Sequence, residues 1–167
     1  SETCHLFGSP VETANQIKDR VYNELGFTVN IGISSNKLLA KMASDFEKPD
    51  KVHTLYPEEI PLKMWPLPVS DLFMVGRRSA ERLKTYGIRT IGELAARSRA
   101  DLRRMLGKSG EQLWLYANGL DDSPVRRYED RQEVKSVSRG MTFRRDLVNM
   151  EEVPVSYTHL TLPTKLE

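Results

Sequence analysis

A chain of 167 residues, 39% hydrophobic and 29% charged with a formal net charge of +2, can bury the core of one ordinary domain or of two small ones. No apolar run is long enough to cross a membrane, and the single cysteine, Cys4, excludes an internal disulfide framework and fits a reducing, cytoplasmic setting. The chain opens on Ser1 rather than on methionine and shows no signal-peptide pattern, so it is expected to be a piece of something longer.

The first predicted element is a helix over "SPVETANQIKDRVYNELG". Ser9 and Glu12 are spaced as a capping box, Pro10 stands at the first helical position, and Gly26 ends the helix. Val11, Ala14, Ile17, Val21 and Leu25 recur at helical spacing and line one face. Next, "FTVNIGI" alternates, with Phe27, Val29, Ile31 and Ile33 on one side, and predicts a half-buried strand. In "GISSNKLLAKMASDFEKPD" the residues Leu38, Leu39, Met42, Ala43 and Phe46 form an apolar stripe, and Pro49 predicts a helix end near Lys48. A short strand over "KVHTLY" and a short helix near "PEEIPLKMW" follow, and strand–helix–strand order predicts an α/β layer with a helix packed on a sheet.

At "PLPVSDLF" the texture changes to short helices alone, which places a domain boundary close to Pro66–Pro68. The helix "RSAERLKTYG" ends at Gly87, "TIGELAAR" opens with the capping box Thr90/Glu93, "SRADLRRMLG" starts at Ser98, and "GEQLWLYANG" ends at Gly119. The charge is uneven here: residues 68–110 hold 10 basic and 4 acidic side chains, whereas residues 1–67 hold 7 and 9. A basic block of that kind is the electrostatic footprint of a phosphate-backbone binder, with a solvated arginine-rich surface as the plainer reading. The segment "DDSPVRRYEDRQEV" is charged and poor in apolar residues, as a linker would be, and "KSVSRGMTFRRDL" returns to strand-like alternation. The last stretch, "PVSYTHLTLPTKLE", shifts abruptly to Thr, Leu and Pro and reads as non-native tail sequence.

Three places carry candidate chemistry. Lys37, Lys41 and Lys48 share one face of the predicted helix with Asp45 between them; they form either a solvated face or an anion site, and Lys48 in the last turn would suit the helix dipole without any ligand. The turn at Val75–Gly76 leads into a helix whose first turn carries Arg77, Arg78 and Ser79, and open N–H groups beside arginines grip phosphate without reading bases. Lys135, Arg139, Arg144 and Arg145 on the late strand could follow a run of phosphates, although alternating basic residues also protect edge strands. His5, His53 and His159 are scattered, and no Cys/His metal spacing, Walker loop, dinucleotide fingerprint or nucleophile motif is present.

Taken together, "ELGFTVNIGISSNKLLAKMASDFEKPDKV", "LPVSDLFMVGRRSAERLKTYGIRTIGELA", "GKSGEQLWLYANGLDDSPV" and "KSVSRGMTFRRDL" resemble a Y-family (translesion) DNA polymerase of the bacterial DNA polymerase IV, UmuC-like type. The resemblance covers about Leu6 to Leu147, with four motifs in the family's order and spacing. It implies the C-terminal part of an α/β palm over residues 1–67, a small all-α helix–hairpin–helix thumb over 68–124 and a linker over 125–134. The start of a β little finger would occupy 135–153, ahead of the tail over 154–167.

The family's activity would be addition of dNTPs to a primer 3′-OH opposite damaged template. Its partners would be primer–template DNA, dNTP and a sliding clamp reached through residues outside the chain, with no membrane. By the same resemblance Lys48 contacts the triphosphate with Asp45 beside it, and Val75, Gly76, Arg77, Arg78 and Ser79 contact duplex phosphates. The Mg2+ ligands of the family belong to motifs upstream of Ser1, so no catalytic or metal residue is expected in this chain and the chain alone is expected to be inactive. Where the family has glycine two positions before Gly76, this sequence has Met74, which implies a less tight turn. The alternative is a noncatalytic helix–hairpin–helix DNA-binding module; a small interaction domain without nucleic acid ranks last, because it would make the basic block accidental.

Overall fold

The capping box of the first long helix forms as its spacing requires. The Ser9 side chain accepts from the Glu12 amide at 3.3 Å, and the Glu12 carboxylate accepts from the Ser9 amide at 2.8 Å. In the computed structural model, which describes residues 4–126 with side chains from Leu6 onward, a short α1 (Cys4–Phe7) precedes this helix, α2 (Pro10–Leu25). Gly26 closes α2 in the left-handed conformation at φ 72°. The linker beyond Arg126, the late strand with Lys135, Arg139, Arg144 and Arg145, and the tail lie outside the described residues.

Two strands, β1 (Ile31–Ile33) and β2 (Val52–Thr54), pair in parallel with Ile31 opposite Val52 and Ile33 opposite Thr54. They are joined through α3 (Lys37–Ser44), the crossover that parallel pairing needs. Strand β1 is shorter than the seven residues of alternation predicted, since residues 27–30 pair with no strand among the described residues and Phe27 is exposed. Gly32 sets the depth at which α3 packs on this sheet. A Cβ there would fall 1.8 Å from the Ala40 carbonyl oxygen and 2.6 Å from the Ser44 amide nitrogen.

Helix α3 also ends earlier than the proline signal predicts. It stops at Ser44, four residues short of Lys48, because the Asp45 and Phe46 amides turn inward to the Met42 and Ala43 carbonyls at 3.1 and 3.3 Å. Lys41, not Lys48, therefore stands in the last turn, and the expected helix-dipole role for Lys48 is corrected accordingly.

The chain then makes a 3₁₀ turn (Pro57–Glu59), α4 (Ile60–Lys63) and a second 3₁₀ turn (Val69–Asp71) before α5 (Arg77–Thr85). Helices α6 (Ile91–Ala95), α7 (Arg99–Leu106) and α8 (Lys108–Ala117) complete the described architecture. Thr90 with Glu93 and Ser98 with Asp101 cap α6 and α7 at the predicted places. Helices α7 and α8 touch closely at Gly110, where a Cβ would lie 2.0 Å from the Leu102 carbonyl oxygen. The mixed class expected, a small α/β layer followed by short helices, is the class observed.

One apolar cluster runs through these elements. Leu38, Leu39, Met42 and Ala43 of α3 join Leu55, Ile60, Met64, Val69 and Leu72, and then Leu83, Ile88, Ile91, Leu94, Leu102 and Leu113. Polar bonds tie the same parts together: the Trp65 indole N–H donates to Ala117 O at 3.0 Å, and the amides of Val69 and Ile91 donate to Arg89 O and Leu67 O. Helix α2 contributes only Ala14 to the buried set, and its predicted stripe residues Val11, Ile17 and Leu25 are exposed. Among the described residues no helix is long and apolar enough to cross a membrane.

Candidate functional site

The first candidate region is the end of α3. Asn36 caps the start of the helix, its Oδ1 accepting from the Leu39 amide at 2.8 Å while its Nδ2 donates to Gly119 O at 2.9 Å. At the far end Asp45 is the C-cap, and its carboxylate lies between Lys41, four residues before it, and Lys48, three residues after it. Lys41 Nζ lies 2.5 Å from Asp45 Oδ2, and Lys48 Nζ lies 2.8 Å from Asp45 Oδ1. The bonds from Lys41 and then Lys48 hold the Asp45 carboxyl below its ordinary pKa, so it stays ionised at neutral pH. Both lysines are about half exposed, at 48% and 59%, and remain open to a ligand from solvent.

Asp45 and Lys48 line a cleft of about 300 Å3 together with Met42, Phe46, Leu67 and Asp71. The end of α3 and the 3₁₀ turn ahead of the hairpin thus share one opening. Lys37, the third lysine of the stretch, sits at the opposite end of α3 and donates to Pro124 O at 2.8 Å. That bond, with the one from Asn36 to Gly119 O, ties the 119–124 segment to the start of the helix.

The second region is the hairpin between Leu72 and α5. The Val75 amide donates to Leu72 O at 3.0 Å, and Met74 takes φ 71°, the left-handed conformation that a tight turn demands. The looser turn implied by the missing glycine is therefore not found: methionine adopts the backbone a glycine would. Met74 is 69% exposed, so its side chain points away from the core and the strain is confined to the backbone.

Gly76 caps α5 without any side-chain bond at φ −77° and ψ 167°, a conformation open to every residue. A Cβ at Gly76 would meet no atom within 4 Å. Nothing inside the described chain requires glycine at this position, but a side chain there would stand in front of the free amides of Arg77, Arg78 and Ser79.

Around this helix start the arginines divide. Arg77 pairs with Glu81 at 3.3 Å while remaining 92% exposed. Arg78 has no ion-pair partner among the described residues. Arg78, Ser79 and Arg82 line a shallow cleft of about 210 Å3 against Leu106 and Ser109. The sequence reading missed Arg82 and Ser109. Arg82 was legible at four residues from Arg78 on one helical face, whereas Ser109 reaches the cleft only through the packing of α7 and α8.

Among the described residues no group of three or more His, Cys, Asp or Glu side chains comes together as a metal site. The acidic side chains are instead spent on caps and pairs, such as Glu59 with Lys63 and the Tyr56 amide, or Glu111 with Arg99 and Arg103. His53 packs edge-on against Phe46 with ring centroids 6.1 Å apart and stands 3.8 Å from Glu47.

Residues 1–45 match the impB/mucB/samB family, and residues 70–121 match the family described as DNA polymerase-iota, thumb domain. DNA polymerase IV of Clostridium acetobutylicum is 51% identical over 143 residues, which cover 86% of this chain and 36% of that protein. DNA polymerase IV 1 of Bacillus subtilis is 44% identical over 143 residues, covering 86% of this chain and 34% of the relative. Among solved structures, DinB from Sulfolobus solfataricus superposes with a TM-score of 0.64 at 25% identity, covering 75% of this chain and 37% of that one. The Dbh ternary complex superposes with a TM-score of 0.62, also at 25% identity, covering 75% of this chain and 38% of that one. The chain spans about a third of the length of the relatives it matches.

Proposed function

The chain belongs to the Y-family DNA polymerases, of the DNA polymerase IV type, and from that premise we propose that its parent protein adds dNTPs to a primer 3′-OH opposite damaged template, with this segment holding the triphosphate at Lys48 and the duplex at the Val75–Ser79 hairpin. In this reading residues 1–67 are the C-terminal part of the palm, residues 68–124 the thumb, 125–134 the linker and 135–153 the start of the little finger. The observation that carries it is the exposed Lys48 ammonium held on Asp45 at the mouth of a cleft, in a chain that matches this family at both its α/β and its helical part. A hairpin-only DNA-binding module would have no use for the first of those matches, so that alternative is not favoured.

Each residue's contribution follows from its chemistry. Lys48 donates charge-assisted hydrogen bonds to non-bridging phosphate oxygens and orients the triphosphate for in-line attack by the primer hydroxyl. Gly76 leaves the α5 amides uncovered, so a duplex phosphate can meet the N–H groups of Arg77, Arg78 and Ser79 while the Arg78 guanidinium supplies charge. Such contacts hold register along the duplex without reading bases, as synthesis on arbitrary templates requires.

Family members use magnesium for phosphoryl transfer, but the described residues offer no donor set that fits it, and no step is routed through a metal here. On the same ground the chain alone is proposed to be inactive, which a magnesium-dependent primer-extension assay on the isolated chain would overturn.

The site is tested in the full-length protein by Lys48→Ala. The variant is expected to raise KM for dNTP or lower kcat by roughly tenfold, as loss of one charged hydrogen bond does, with primer–template affinity nearly unchanged. If DNA affinity falls while nucleotide kinetics hold, Lys48 is a DNA contact and the assignment is wrong.

A further inference from the structure

We propose that Lys41 is a second phosphate-binding cation of the Lys48 site and that Asp45 is the positioning residue that holds both ammonium groups in place until a polyphosphate takes them over. The inference rests on the nucleotide reading of Lys48 and deepens it by naming how the site is built.

The geometry comes from the spacing of the three residues at the end of α3. Positions 41, 45 and 48 share one face at intervals of four and three, with Asp45 at the C-cap between the two lysines. One carboxylate there binds one ammonium per oxygen, at 2.5 and 2.8 Å. Two like charges are thereby held on the two oxygens of one carboxylate, an arrangement that repels unless an anion stands between them. Asp45 is that anion in the ligand-free protein. A triphosphate offers more charge and non-bridging oxygens on adjacent phosphoryl groups, so it can replace Asp45 between the same two ammonium groups by side-chain rotation alone.

Charge in the cleft favours two lysines over one. Asp45 and Asp71 both line it, and among the described residues the Asp71 carboxylate receives no cation, taking only the Ser70 hydroxyl at 3.1 Å. With Lys48 as its sole cation the opening would carry a net negative charge and repel a polyanion. Lys41 lines the neighbouring cleft with Phe73 and Tyr116 rather than this one, and adds its positive charge here only through the bond to Asp45. The neighbouring charges are engaged elsewhere: Glu47 faces Lys51 and His53, each at 3.8 Å, and Lys37 lies at the other end of the helix.

The test measures the dNTP dissociation constant of the full-length protein in single-nucleotide incorporation, for Lys41→Ala, Lys41→Arg, Asp45→Asn and Lys48→Ala. Lys41→Ala is expected to weaken dNTP binding about fivefold and Lys41→Arg to restore it, with primer–template affinity and thermal midpoint unchanged. Asp45→Asn removes the competing carboxylate and is expected to tighten dNTP binding, most visibly at low salt. An effect of Lys41→Ala that Lys41→Arg does not rescue, no effect at all, or weaker binding in Asp45→Asn would each overturn the proposal. If Lys41→Ala is silent while Lys48→Ala weakens binding, only this inference falls. If Lys48→Ala is silent as well, the nucleotide reading of the site falls with it.

Discussion

Met74 shows how a single residue can hold a shape its chemistry disfavours. An L residue in the left-handed region costs about 1 kcal/mol or somewhat more, and here the cost is borne at the tip of the hairpin that precedes α5. Met74→Gly is expected to stabilise the protein by less than about 1 kcal/mol, because glycine removes the strain but gives the unfolded chain more freedom. Thermal or urea unfolding checks this, and a less stable Met74→Gly variant would show that the methionine side chain makes a contact worth more than the strain. The identity of position 74 was plain in the sequence, yet its consequence was read wrongly. A missing glycine suggests a wider turn, whereas the neighbouring bonds from Val75 to Leu72 and the burial of Leu72 overrule the local preference.

Elements in this protein are bounded by caps and spaced by glycines, and the two kinds of signal differ in legibility. Ser9, Thr90 and Ser98 were readable as helix starts because each acts on an amide two or three residues away. Gly32 and Gly110 were not readable as packing residues, since what a side chain there would strike belongs to another element. Gly32→Ala is expected to destabilise the protein by about 3 kcal/mol or more: its Cβ meets helix backbone at Ala40, which cannot swing aside as a side-chain tip could. Gly76→Ala provides the contrast. It should leave the fold within about 1 kcal/mol of the parent, the ordinary difference between glycine and alanine at a helix cap. Equal losses in the two variants, measured by denaturant unfolding, would remove the packing argument for Gly32.

For the whole molecule, the net charge of +2 conceals a basic helical part beside a mildly acidic α/β part. If the hairpin grips duplex phosphates, affinity for primer–template DNA should fall linearly in a log–log plot against salt, by about 0.9 per phosphate neutralised. Arg78→Gln should flatten that slope by nearly one contact, while a change at Arg77, already paired with Glu81, should matter less. A slope that Arg78→Gln leaves unchanged would place the duplex on another face. These measurements belong to the full-length protein, of whose relatives the chain spans about a third.

Sequence alone determined the order of the longer elements, the starts of α2, α6 and α7 and the mixed α/β class, because caps, alternation and helical spacing act over three or four residues, but it did not show α1 or the start of α8 at Lys108. It also singled out Lys48 and the Val75–Ser79 hairpin, through motifs whose order and spacing are properties of the chain. Tertiary structure decided where α3 ends. Two amides bond three residues back and Phe46 packs against a core assembled from residues far apart in sequence, and the helix stops before its proline. The cleft shared with Asp71 and the exposed approach to Gly76 follow from three-dimensional packing, which no local pattern encodes, whereas the pairing of Lys41 and Lys48 with Asp45 follows from their spacing.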